Sequence, residues 1–204
     1  MPIALREATL DDVEAICDVN LSAFSEETVS LQTLPRESGT GRAFTRPSVV
    51  EAIQGSDYHV LVITDDELSD EVIAFAKWKI PGAAITDPPP ASAWPQDGDP
   101  QLAVKFFGSF ARAHREIMGD RRHWYLELVA TRKGAGGKGA ASRLMNWGLE
   151  RAQRDGLPVF LEATKEAEGI YEGKFGFKVV KRQVIDVKTE MIDVPFMVWG
   201  GATQ

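Results

Sequence analysis

Apolar and polar positions along the 204-residue chain fall into short alternating runs and into longer recurrences three to four residues apart. Ile3 to Ala8 alternates, with Ile3 and Leu5 turned inward, and reads as an edge strand. Thr9 can then cap a helix whose third residue is Asp12 and whose buried side is marked by Val13, Ile16, Cys17, Leu21 and Phe24. Residues 25–47 mix Ser, Thr, Gly, Pro and charges, which predicts loop with room for one short helix, and Ser48 caps a further turn through Ile53. His59–Thr64 and Val72–Ile80 predict an antiparallel hairpin around an acidic turn. The prolines and glycines of residues 81–100 exclude regular structure, whereas Leu102, Phe106, Phe110, Ala113 and Ile117 predict a helix over Gln101–Met118. Loop and helix together either pack against the core or form one wall of a substrate site.

The stretch Trp124–Phe177 organises the rest. Trp124, Leu126, Leu128 and Ala130 alternate with Tyr125, Val129 and one charge, Glu127, so apolar residues fall on both faces of a central strand. Ala141, Leu144, Met145, Gly148, Leu149 and Ala152 recur at helical spacing, Gly156 supplies a stop, Pro158 forbids continuation, and Val159–Ala163 is strand-like again. The unit is βαβ. Beyond it, Gly176–Asp186 and Ile192–Trp199 should pair at the far edge of the sheet, with Pro195 at a bulge or a strand start. The sum is an α/β fold: one domain over residues 1–204 with an inserted loop and helix at about 81–122, and a mixed sheet of about seven strands with helices on both faces.

Composition narrows the function. Hydrophobic residues at 44% and charged residues at 26% are ordinary globular values and exclude a disordered or fibrous chain. A net charge of −7 disfavours nucleic acid as a partner and leans toward a cationic or neutral one. Cys17 is the only cysteine, so no internal disulfide or thiolate metal cluster can form, and three scattered histidines do not suggest zinc. With no secretory leader and no apolar run of membrane-spanning length, a cytoplasmic protein without membrane partners is expected. An exposed final strand would be able to pair with a second copy, so a homodimer is compatible with the pattern.

Between the central strand and the helix lie Gly134, Gly136, Gly137 and Gly139, with Arg132, Lys133 and Lys138 among them. Glycines admit a close approach of backbone N–H groups to a ligand, and the helix start adds unpaired donors and a positive dipole end. A nucleotide P-loop would need Gly and Ser/Thr where Arg132 and Gly139 stand. The dinucleotide pattern G-x-G-x-x-G is matched by Gly134, Gly136 and Gly139, with Glu162 at the distance of a ribose contact, which keeps an NAD(P)-binding oxidoreductase open.

The window Gly136-Gly137-Lys138-Gly139-Ala140-Ala141, the segment around Tyr171 to Phe177, and Leu5 to Thr9 with Asp12 resemble the Gcn5-related N-acetyltransferase (GNAT) superfamily. The resemblance spans most of the chain except about residues 25–47 and 81–122. It departs where Gly136 replaces the family's Gln or Arg and where the proline common after the strand is missing. It implies an enzyme that transfers acetyl from acetyl-CoA directly to a small-molecule or peptide amine. Pyrophosphate would lie on the backbone of Gly136, Gly137, Lys138, Gly139, Ala140 and Ala141, and the pantetheine arm beside Leu128, Val129 and Ala130. Arg132, Lys133 and Lys138 would compensate electrostatically for the missing side chain. In that frame Glu127 is the first candidate for a base acting through water, against a plain charge paired with arginine or solvent. Tyr171 would protonate the leaving thiolate, and Glu162 is a reserve base. A non-catalytic acyl-CoA binding module would carry the same loop.

Overall fold

The computed structural model describes residues 3–200. In chain order the strands and helices are β1 (Ile3–Glu7), α1 (Val13–Ala23), α2 (Thr28–Thr33), α3 (Thr40–Gln54), β2 (Tyr58–Asp65), β3 (Glu71–Lys79), α4 (Pro100–Met118), β4 (Trp124–Thr131), α5 (Ala140–Asp155), β5 (Val159–Glu162), α6 (Lys165–Phe175), β6 (Lys178–Asp186) and β7 (Met191–Trp199). The seven strands form one sheet in the order β1-β2-β3-β4-β5-β7-β6. Every neighbouring pair is antiparallel except β4 and β5.

Period-two alternation sorts the core onto the two faces. Leu61 and Ile63 of β2, with Trp78, Trp124, Leu126 and Leu161, pack under the Leu144, Met145 and Ala152 stripe of α5. Val60 and Val62, one step out of phase, turn with Phe75 and Ala130 toward α1 and α3 through Val13, Ile16, Cys17, Val49 and Ala52. On that same face α4 covers the other half of the sheet, with Leu102, Phe106 and Met118 packed on Phe160, Val194 and Phe196. At the start of the chain the Asp12 carboxylate accepts the Thr9 N–H at 2.7 Å and both Arg6 Nη atoms at 2.7 Å, which fixes the turn from β1 into α1.

Three local expectations change. Residues 40–54 form a single 15-residue helix that runs through Pro47, not a loop with a short turn after Ser48. Tertiary packing outweighs the proline: Val49 and Ala52 are buried against α1 and β2, and Gly41 lies so close to the Leu34–Pro35 backbone that any side chain would collide. Pro195 sits inside β7, an interior strand, rather than at a bulge or strand start. Its carbonyl accepts Ala163 N–H at 3.0 Å where β5 ends, so the missing donor faces the point at which no strand continues. The alternation of β4 also breaks. Leu128 pairs with Lys77 and Leu126 with Trp78, leaving Glu127 opposite no residue of β3. This bulge puts Leu128 and Ala130 on the α1/α3 face while Trp124 and Leu126 stay on the α5 face.

The inserted segment is fastened through Trp94, whose ring stacks between Phe44 of α3 at 4.3 Å and Phe107 of α4 at 5.4 Å. α5 is fixed to β3 by an even closer fit: Trp78 Nε1 donates to the Leu144 carbonyl at 3.1 Å, and a Cβ on Gly148 would lie 2.3–2.5 Å from the Trp78 ring. Helix propensity alone predicts that Gly148→Ala stabilises by about 1 kcal/mol. Forcing α5 off a fully buried indole costs about 1–3 kcal/mol or more. Gly148→Ala is therefore expected to lower stability in urea unfolding, and an unchanged or raised midpoint would contradict the packing described.

Candidate active site

β4 and β5 pair over only two positions, Trp124 with Val159 and Tyr125 with Phe160. Past them β4 stays with β3 and β5 stays with β7, so the two strands part and a wedge opens toward their C-terminal ends. Arg132 N–H bonds Ile73 O across β3, and by alternation the N–H and C=O of Val129 and Thr131 turn the other way, into the wedge. Backbone groups so placed need an outside partner.

On the α1/α3/α4 face at this wedge stand both candidate carboxylates, in opposite environments. Glu127, carried by the bulge, accepts from Lys77 Nζ at 2.6 Å on Oε1 and from Tyr58 Oη at 2.7 Å on Oε2. Burial pushes its carboxyl up, but the Lys77 charge and hydrogen bond, Tyr58 and Lys79 outweigh it and hold the group below the usual carboxylate range. Its partner is thus a lysine, not the arginine or open solvent that the sequence suggested. Glu162, at the end of β5, accepts only from Tyr125 Oη, at 2.9 Å on Oε2, and its Oε1 is buried without a partner. Burial pushes its pKa up to about 8. Tyr58, Tyr125 and Lys77 were not identified from sequence, although Lys77 shares the strand phase of buried Phe75.

Nearby, His114 stacks on Phe160 at 4.1 Å and meets Tyr125 edge-on at 4.4 Å. His123 Nδ1 faces the Arg121 carbonyl at 2.6 Å and so carries hydrogen, which makes His114 Nε2 the donor in the 2.7 Å contact between the two rings. Burial pushes His114 down to about 3, keeping it neutral.

The glycine-rich loop lies at the open end of the wedge. Gly134, Gly137 and Gly139 adopt φ of 88°, 83° and 80°, a region that side chains disfavour, and a Cβ at any of them or at Gly136 would meet nothing within 4 Å. Gly139 precedes α5 without a side-chain cap, and Arg143 N–H is the first to bond back to it, so the N–H groups of Ala140, Ala141 and Ser142 lack helical partners. These donors fit a pyrophosphate. The loop's basic side chains are otherwise engaged: Arg132 with Glu71, Lys133 with Glu26, and Lys138 with buried Asp65 and Glu67. Electrostatic compensation by these residues is therefore spent on carboxylates. One cation missed from sequence is held at the helix start instead, Lys174 of α6, whose Nζ donates to Ser142 Oγ at 2.6 Å.

Tyr171 of α6 lies on the α5 face, packed on Phe177 at 5.7 Å and Phe175 at 6.4 Å. Burial raises its phenol to about 12. The dinucleotide reading fails on topology. Gly134, Gly136 and Gly139 follow the fourth strand of a largely antiparallel sheet, and Glu162 is bonded to Tyr125 rather than free at the loop.

The profile of the acetyltransferase (GNAT) family matches residues 28–177. Among solved structures, the chain is similar to one from Corynebacterium glutamicum described as histone acetyltransferase HPA2 and related acetyltransferase. The two are 26% identical with a TM-score of 0.66, covering 100% of this chain and 99% of that one. It shares its fold with mosquito arylalkylamine N-acetyltransferase like 5b, 17% identical, covering 97% and 99%, TM-score 0.66. The fold also recurs in a chain of the NatC complex bound to Gag peptide and CoA, 14% identical, covering 99% and 100%, TM-score 0.56. A search of curated proteins gave no significant match. No helix among the described residues is long and apolar enough to cross a membrane.

Glu162 has a stability signature. Its folded pKa of about 8 lies above its value in the unfolded chain, so the fold binds this proton more tightly and stability is lost as pH rises through that value. Glu162→Gln should remove this loss: its melting temperature should gain on that of the unmodified protein as pH rises from about 5 to about 8 and keep a constant offset above that. Parallel melting curves over that range would show that Glu162 is not held protonated.

Proposed function

The chain belongs to the acetyltransferase (GNAT) family, and from that membership we propose how its own residues carry acetyl from acetyl-CoA to an amine. The protein is an acetyl-CoA-dependent N-acetyltransferase. The single observation that carries the residue assignment is the unpartnered, buried Oε1 of Glu162 beside the wedge, on a carboxyl with a pKa of about 8.

A base must take a proton from an alkylammonium of pKa about 10 before the amine can attack. Glu162 in its ionised form meets that need far better than Glu127. Both Glu127 oxygens are bonded to Lys77 and Tyr58, and its pKa is depressed. Glu127 instead fixes Lys77 and Tyr58 at the bulge. Glu162 takes one proton from the ammonium, and the freed amine nitrogen attacks the thioester carbonyl carbon. The new C–N bond forms as the C–S bond breaks, Tyr171 gives its phenolic proton to the departing thiolate, and the second proton shed by the nitrogen returns to the Tyr171 phenolate through solvent. Base and acid stand on opposite faces of the sheet, so the reacting atoms meet in the wedge between them.

The backbone of Leu128, Val129 and Ala130 flanks the acyl-donor arm, Val129 offering its N–H and C=O. Gly136, Gly137, Lys138, Gly139, Ala140 and Ala141 supply main-chain donors to pyrophosphate, and Lys174 adds a charge at the start of α5. The reading extends to a cytoplasmic protein acting on a small-molecule or peptide amine, as one domain whose segment 81–122 walls the acceptor side. The final strand, β7, is paired on both sides by β5 and β6 and so is not the exposed edge expected of it; β6, the strand at the sheet edge, would be the pairing surface of a homodimer.

The test is acetyl transfer measured by thiol release across pH. kcat/KM should rise to a plateau above about pH 8. Glu162→Gln should abolish that limb and cost about 100-fold or more in kcat, whereas Glu127→Gln should keep the limb. Tyr171→Phe should lower kcat with acetyl-CoA affinity unchanged. If it binds acetyl-CoA and loses no rate, Tyr171 is not the acid. Lys174→Ala should weaken acetyl-CoA binding about tenfold by calorimetry without moving the pH limb, and an unchanged affinity would remove Lys174 from the site.

A further inference from the structure

On the face of the sheet that carries Glu127 and Glu162, two lysines are withdrawn from water. Lys77 and Lys79, alternate residues of β3, are 8% and 6% exposed. Burying an ammonium costs several kcal/mol unless a counter-charge compensates. Lys77 has one, donating to Glu127 at 2.6 Å. Lys79 has none: among the described residues no carboxylate lies within 4.0 Å of its Nζ. Its nearest compensation is the face of Tyr58, 5.1 Å from Nζ to ring centroid, and Lys77 shares that ring at 4.7 Å. A cation–π contact shared between two lysines returns less than the burial removes.

The surrounding groups leave Lys79 uncompensated. Glu127 has both oxygens occupied, by Lys77 and by Tyr58. Glu162 carries its proton at neutral pH. His114 is neutral, and Asp57, exposed just before β2, makes no ion pair with Lys79. Two ammonium groups therefore share one carboxylate. Burial, with repulsion from Lys77, accordingly lowers the pKa of Lys79 despite the pull of Glu127 and the weaker pull of Asp57.

The position of this charge gives it a purpose. Lys79 is the direct cross-strand partner of Tyr125, and the Tyr125 hydroxyl donates to Glu162. Lys79 and the base thus lie on one face of three adjacent strands, β3, β4 and β5. Lys79 pairs with Tyr125 and Tyr125 with Phe160, two residues before Glu162, so two strand spacings and that offset separate the two backbones by about 12 Å, a gap that two long side chains with a small ligand between them can span.

We propose that the acceptor is an amino acid, bearing a carboxylate close to its reacting amine, and that Lys79 receives that carboxylate while Glu162 takes the amine's proton. The inference rests on the assignment of acetyl transfer to the Glu162 wedge. A carboxylate in reach of Lys79 turns an uncompensated ammonium into a charge-assisted hydrogen bond, so the binding of the right acceptor also relieves a strain of the free enzyme. An acceptor without the anion would leave that ammonium buried and unpaired.

The experiment compares matched acceptors in acetyl transfer: α-amino acids, their carboxamides, and the amines left when the carboxylate is removed, with the unmodified enzyme and with Lys79→Met and Lys79→Arg. The expected result is a kcat/KM for at least one amino acid tenfold or more above its carboxamide and its decarboxylated amine. Lys79→Met should lose that preference through KM, with acetyl-CoA affinity kept, and Lys79→Arg should retain most of it, separating charge recognition from damage to the fold. Equal or better turnover of the uncharged analogues by the unmodified enzyme would overturn the inference while leaving acetyl transfer intact. So would a uniform loss on all acceptors in Lys79→Met. Failure to turn over any amine, by protein that still binds acetyl-CoA, would overturn both.

Discussion

The parting of β4 from β5 is the constraint on which the molecule depends. Two adjacent parallel strands would normally continue their ladder; here each has a stronger claim on its other side, β4 on β3 and β5 on β7. The Glu127 bulge adds local twist to β4 just where the ladder with β5 ends. What results is a slot through the middle of a sheet whose walls are rigid strands rather than loops. It exposes main-chain donors and acceptors at Val129 that water or an extended amide-bearing ligand must satisfy. An acyl-CoA arm has that shape and chemistry. The helix that follows β4 starts at the slot's open end, so the same connection that shapes the wedge also leaves the unpartnered N–H groups of Ala140, Ala141 and Ser142 there.

Within the slot, two glutamates show how neighbours divide roles between like groups. Glu127 is surrounded by cations and a phenol and stays ionised; Glu162 has one phenol and a burial penalty, and holds its proton to near pH 8. Neither property belongs to the residue type. The bulge and the Lys77 pairing explain the first, and the end of a short buried strand explains the second.

Most of the architecture was legible because hydrophobic periodicity reports it directly: the β2–β3 hairpin, the α4 stripe, the βαβ unit and the final pair of strands all follow from spacing. The expectation of an acyl-CoA loop followed from resemblance, while the order of the strands was not read from the sequence. What escaped has physical causes. A bulge is a property of two strands, so Glu127 read as one more alternating position until β3 was set beside it. Pro47 argued against a helix that long-range packing nonetheless stabilises. The polar cluster of Tyr58, Lys77, Lys79 and Tyr125 is assembled from three strands and has no sequence spacing, yet one sign was available: Phe75, Lys77 and Lys79 alternate in phase on a strand that is apolar on both faces. Lys174 was hidden because only the meeting of α6 with the start of α5 gives it a role.

The carboxylates that hold Arg132, Lys133 and Lys138 reach past the glycine loop to how fast the donor arrives. A polyanionic nucleotide approaching a chain of net charge −7 meets overall repulsion, and the loop's own cations, already neutralised, offer little long-range attraction. With the donor on the loop as proposed, capture would depend on short-range main-chain donors after encounter, and salt, by screening the repulsion, would quicken association instead of slowing it. The price of a loop pinned in its binding shape is the loss of electrostatic steering.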